Sequence, residues 1–134
     1  MKGYLLDTWA WIEYLEGGEA ADRIDEVIEN EKCYTSVQTI AELSDLYNSG
    51  RITIDMSWEE LKAFIAVKKS DVVEIDGEIG ERAGEVKAEE RETQSDFGLA
   101  DAVILATARK EGLRVVSGDP HLVDQEETVD LGEE

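Results

Sequence analysis

The stretch LADAVILATARKEGLRVVSGD, residues 99–119, decides the fold. Its first half carries Ala102, Val103, Ile104, Leu105, Ala106 and Ala108, which leaves a helix almost no polar face. A helix that is apolar on every side is a buried helix. Gly112 closes it, and the apolar run LRVVS follows as a strand. One residue breaks the pattern: Asp101 lies near the start of this helix. A buried carboxylate costs several kcal/mol unless something pairs with it. Something positive is therefore expected to meet it.

Outward from this stretch the chain keeps alternating. GYLL (residues 3–6) reads as a strand followed at once by Asp7, and TWAWIEYLEGG (8–18) as a helix stopped by Gly17 and Gly18. Ala21, Ile24, Val27 and Ile28 keep a helical stripe, and CYTS (33–36) is a second strand. Val37, Ile40, Leu43 and Tyr47 continue as a helix that Gly50 ends. Ser57 and Glu60 have the spacing of a capping box ahead of Leu61, Phe64 and Ile65. VVEI (72–75) is a third strand, Ile79, Ala83 and Val86 mark a long charged helix, and TVDL (128–131) is a weak fifth strand. Strands alternating with helices predict an α/β fold, a parallel sheet of roughly four to five strands flanked by helices on both faces. Residues 1–134 show no repeat and no linker, so one domain is expected.

Composition narrows the function classes. No run is long and apolar enough to span a membrane, and the N-terminus lacks the shape of a signal peptide, so a cytoplasmic location is expected. The single cysteine, Cys33, excludes an internal disulfide and a cysteine zinc cage, and reads as a buried filler at the head of a strand. The net charge is −20, from 33 acidic and 13 basic residues. Such acidity suits either mimicry of nucleic acid or a surface adapted to a salt-rich cytoplasm. The acids are scattered over helix faces, which favours the second reading.

Four acids fall beside predicted strand ends, where open parallel sheets bind their ligands. Asp7 follows the first strand, Glu42 lies in the helix after the second, Asp101 opens the buried helix and Asp119 follows the strand after it. Each also has a plain structural use. Asp7 fits as the cap of the helix at Thr8, Glu42 as the far end of a capping box with Thr39, Asp119 as a turn residue and Asp101 as a helix-dipole acid. Together they point to one edge of the sheet. Clustered carboxylates repel unless a cation sits among them, and oxygen ligands of this kind suit Mg2+ or Mn2+.

Other chemistries fit poorly. The one histidine, His121, sits beside Pro120 and reads as a loop residue near the mouth of the site, not as a member of a serine-hydrolase triad. No glycine-rich phosphate loop or nicotinamide fingerprint is present. Trp9, Trp11, Tyr14 and Trp58 lie in helical stretches and read as core or interface.

The strings YLLDTWAWIEYLEG, TSVQTIAEL and LADAVILATARKEGLRVVSGDPHL, in this order, resemble the PIN-domain family, and above all its VapC-type toxin ribonucleases. The resemblance covers nearly the whole chain. It implies a metal-dependent endoribonuclease, the toxin of a type II toxin–antitoxin pair, that hydrolyses RNA phosphodiester bonds with Mg2+ or Mn2+. By the same resemblance Asp7, Glu42, Asp101 and Asp119 hold the metal and carry catalysis. Thr8 and Ser117 would steady those carboxylates or their waters. The resemblance also implies a structured RNA cut in a single-stranded loop, a cognate antitoxin whose tail lies over the acids, and a homodimer. Candidate RNA-contacting bases are Lys68, Lys69, Arg82, Lys87, Arg91 and Arg109. Two departures stand out. The acidity exceeds the family's habit, and the tail DQEETVDLGEE is expected to form its strand poorly. Asp96 has no counterpart and is placed as a helix cap through SDFG. Rival readings are a non-catalytic module that uses the acid pocket for a basic partner tail, and a housekeeping nuclease for ribosomal RNA.

Overall fold

The computed structural model describes residues 2–130. Five strands form one parallel sheet: β1 (Tyr4–Leu6), β2 (Cys33–Ser36), β3 (Asp71–Val73), β4 (Arg114–Ser117) and β5 (Thr128–Asp130), in the spatial order β3-β2-β1-β4-β5. Tyr4 pairs with Cys33 on one side and with Arg114 on the other, so β1 is the middle strand. Period-2 alternation sends Leu5 and Val115 to one face of the sheet and Leu6 and Val116 to the other.

Each face is covered by helices. On the Leu5 side lie α5 (Gly77–Glu90) and α6 (Leu99–Glu111), through Ile79, Ala83, Val86 and a run of α6 residues. On the Leu6 side lie α1 (Thr8–Glu16), α2 (Ala21–Asn30), α3 (Val37–Asn48) and α4 (Trp58–Ala63), through Ala10, Trp11, Ile24, Leu43 and Leu61. Every residue of α6 from Ala102 to Ala108 is buried, because the helix packs on α5, β4 and α3 at once. That explains its missing polar face.

Local chemistry sets the helix ends. Asp7 caps α1 by accepting from the Ala10 N–H at 2.9 Å, and Gly17 closes it in the left-handed region at φ +70°. The capping box is present: Ser57 Oγ accepts from the Glu60 N–H while Glu60 accepts from the Ser57 N–H. Cys33 is buried at the head of β2 as expected.

Some expectations need correction. The strand predicted over residues 72–75 is Asp71–Val73, and Ile75 stands exposed beyond it. An edge strand has neighbours on one side only, so apolar content alone does not locate its end. The helix predicted from Leu61 through Ile65 changes to a π-helical turn at Phe64–Lys69. There the Ser70 hydroxyl donates to the Ile65 carbonyl at 2.5 Å and bonds Thr35 Oγ1 at 2.7 Å. The last strand forms over Thr128–Asp130 despite its acidic surroundings, because it pairs along β4; Leu131 lies outside the described residues. Glu42 closes no capping box with Thr39, since Ser36 is the cap of α3. Asp96 does not cap α6 either: the cap is Gly98, with no side-chain bond.

Candidate active site

The carboxyl ends of β1, β2 and β4 open into a cavity of about 260 Å³ lined by Asp7, Thr8, Glu42, Asp101 and Asp119, with Trp9, Ile12 and Ile104 as its apolar wall. Parallel pairing accounts for the convergence. Asp7 leaves β1 and Asp119 follows β4, its direct neighbour, while α3 and α6 pack together and bring Glu42 towards Asp101. Of the predicted site residues, all four acids and Thr8 line this one space. Ser117 stands behind them at the end of β4, fully buried.

The two hydroxyls hold carboxylates. Ser117 Oγ donates to Asp7 Oδ2 at 2.5 Å and accepts from the Asp119 N–H at 2.9 Å. Thr8 Oγ1 donates to Glu42 Oε1 at 2.6 Å. Asp7 therefore caps a helix and faces the cavity with the same side chain, each oxygen keeping acceptor capacity. Asp119 likewise is both turn residue and cavity wall, accepting from the His121 N–H at 2.8 Å.

Electrostatics mark the same spot. Burial pushes the Asp7 carboxyl up to about 7 against the pull of its Ser117 and Ala10 hydrogen bonds, and the charges of Asp119 and Asp101 add to the rise. Burial also lifts Asp101 to about 6, with Asp119 and Glu42 repelling it and His121 opposing. Carboxyls held this reluctantly in the charged form are stabilised by any cation that enters.

Two residues gain a place the sequence did not give them. Trp9 packs against the buried core as expected, and its ring also forms a cavity wall against Gly118, where an added Cβ would stand 2.4 Å from a ring carbon. The glycine beside Asp119 was the only available signal. His121, expected as a loop residue near the mouth, does lie there, but its ring faces the acids directly: Nδ1 is 3.2 Å from Asp119 Oδ1 and 3.6 Å from Asp101 Oδ2. Asp101, Asp119 and His121 offer ligand atoms that all lie within 4.8 Å of one another. Asp96 meets His121 Nε2 at 3.0 Å, and this hydrogen bond is the main reason the imidazole is held above its usual pKa. Of the aromatics read as core, Trp11 is buried and donates to Thr35 Oγ1, Tyr14 stacks on Phe64 and Trp58 packs on Tyr47.

The candidate RNA-contacting bases lie elsewhere. None of Lys68, Lys69, Arg82, Lys87, Arg91 and Arg109 lines the acidic cavity. Lys69 pairs with Glu29, Arg82 with Glu78 and Arg109 with Glu127.

Comparison with known proteins gives one family. The family model described as PIN domain matches residues 4–127. A comparison with curated protein sequences finds no match. Among solved structures, a toxin–antitoxin complex from Klebsiella pneumoniae superposes with a TM-score of 0.74 at 20% identity, over 96% of this chain and 98% of that one. The DNA-bound VapBC of Salmonella typhimurium gives 0.69 at 20% identity, over 98% and 99%. VapC20 of Mycobacterium tuberculosis, described as a sarcin-ricin loop cleaving toxin, gives 0.64 at 18% identity, over 87% and 88%. At these identities the likeness is one of fold. Among the described residues no helix is long and apolar enough to cross a membrane.

Proposed function

Because the chain belongs to the PIN domain family, we propose that it is a metal-dependent endoribonuclease and the toxin of a type II toxin–antitoxin pair. The convergence of Asp7, Glu42, Asp101 and Asp119 on one cavity carries this reading. The four acids fit a divalent cation: they are clustered carboxylates, and burial raises the pKa of two of them, Asp7 and Asp101, so that a cation favours their charged form. Mg2+ or Mn2+ suits such hard oxygen ligands. These four acids would hold it. When bound, such an ion neutralises charge on the scissile phosphate and lowers the pKa of water.

The chain's own residues prepare the site. Ser117 and Thr8 fix the carboxylates of Asp7 and Glu42, so little reorganisation is left for the reaction. Trp9 and Ile12 keep one wall apolar and raise the strength of every charge interaction inside. The substrate class is a structured RNA cut in a single-stranded loop, in line with the loop-cleaving activity named for the M. tuberculosis neighbour. The partner is an antitoxin, as in the toxin–antitoxin complexes that share the fold. An acid-lined cavity on a chain of net charge −20 favours an inserted Arg or Lys from that partner. A homodimer in the cytoplasm completes the reading.

The test incubates the purified chain with total cellular RNA in molar KCl, with Mg2+, with Mn2+ and with chelator, beside a folded Asp101→Asn variant. Discrete metal-dependent cuts that disappear in the variant are expected. Cuts that persist unchanged in chelator or in the variant defeat the reading. Growth arrest on induced expression distinguishes a toxin from a ribosomal RNA processing enzyme.

A further inference from the structure

His121 is the only imidazole in the chain, and the reaction read above gives it no task. The ring meets buried Phe97 edge-on, with centroids 6.1 Å apart and planes at 88°. Its backbone N–H is tied to Asp119. Its Nε2 faces Asp96 Oδ2 at 3.0 Å, and its Nδ1 faces Asp119 and Asp101.

A carboxylate on one ring nitrogen decides what the other can do. With Nε2 held by Asp96, Nδ1 is the ring atom turned to Asp119 and Asp101. Adjacent ligands around an octahedral ion bonded at about 2.1 Å stand about 3 Å apart. The separations from Nδ1 to Asp119 and Asp101, 3.2 and 3.6 Å, already approach that spacing. A ligating histidine whose far nitrogen is held by a carboxylate is the common supporting arrangement of metal sites.

We propose that His121 Nδ1 joins Asp101 and Asp119 as a ligand of the divalent cation, with Asp96 as the positioning residue that orients the ring. This rests on the metal-dependent reading above and adds a nitrogen donor to it. A mixed nitrogen and oxygen set shifts preference from Mg2+ towards Mn2+, since imidazole suits transition metals better. Asp96, unexplained as a cap, gains a use.

The experiment uses the full chain without a histidine tag, stripped of metal and loaded with Mn2+ below one equivalent. Pulsed electron paramagnetic resonance reads nitrogen bound to Mn2+ directly. Because the chain has one histidine, protein labelled with 15N at histidine alone assigns the signal without any variant. The expected result is a 14N imidazole modulation that converts to 15N on labelling and is lost in His121→Gln. Asp96→Asn should keep the modulation while weakening Mn2+ binding by about 10- to 100-fold. Bound Mn2+ with no imidazole signal overturns the assignment and leaves the carboxylate site standing. No Mn2+ binding at all removes the metal-dependent reading, and this inference with it. An unchanged affinity in Asp96→Asn refutes the positioning role.

Discussion

The carboxyl of Asp7 caps α1 through Ala10 and faces the acidic cavity with the same two oxygens. Its pKa is raised, from 3.8 to about 7, so folding favours the protonated form. Stability from this residue is complete below about pH 4 and is lost as pH rises to about 7, at about 1.4 kcal/mol per pH unit. Asp7→Asn keeps an oxygen for the Ala10 N–H and removes the charge, while its NH2 replaces Oδ2 and meets Ser117 Oγ as a donor. In chelator the variant should melt a few degrees above wild type at pH 7.5 and level with it near pH 3.5; equal melting at both values would show that the buried charge costs nothing. Cys33 gives a simpler check. Burial pushes its thiol up to about 11, so iodoacetamide at pH 8 should leave it unmodified until urea unfolds the chain. At this scale the sequence was readable where chemistry is local. Asp7, Thr8 and Ser117 sit beside strand ends and keep that adjacency in the fold. Trp9 and His121 were harder, because a ring's direction depends on Gly118 and Phe97, residues far from them or on another element.

Elements are held by caps and close approaches. Ser57→Ala removes one hydroxyl from the capping box of α4 and should cost about 1 kcal/mol in urea unfolding, with cavity chemistry unaffected. Gly118→Ala is a different kind of change. The new Cβ meets the Trp9 ring, so the ring must shift. Tryptophan fluorescence should change and, on the proposed function, RNA cleavage should fall; unaltered values of both would show that this wall does not shape the site. The alternation of elements was legible because apolar runs of strand length and stripes of helical period do not mimic one another here. The buried helix α6 was the clearest case. Boundaries were less so: β3 lies at the sheet edge, and the π-helical turn depends on Ser70 and Thr35 meeting across the fold.

For the molecule as a whole, charge is the dominant variable. With 33 acids against 13 bases, self-repulsion opposes folding. Pairs such as Arg51–Asp45 and Lys62–Glu59 are exposed and individually small. Molar KCl shortens the screening length to about 3 Å and should raise the melting temperature steadily above that in dilute buffer. A chain fully folded in dilute buffer with no gain from KCl would end the salt-adapted reading of the surface. Composition alone showed this excess, since it needs no fold. The partner surfaces were not readable in the same way: the six candidate bases looked equivalent in sequence, and the fold puts none of them in the cavity.

The hydrogen bond from Ser117 to Asp7 joins residues 110 positions apart. The pocket is thus assembled from both ends of the described chain, and no fragment that stops short of Ser117 holds all of its walls. In genetic terms, a premature stop or frameshift at any earlier codon leaves a product without the complete pocket. If expression arrests growth, escape mutants should carry truncating lesions spread along the reading frame, while missense escapes gather at the codons for Asp7, Glu42, Asp101 and Asp119.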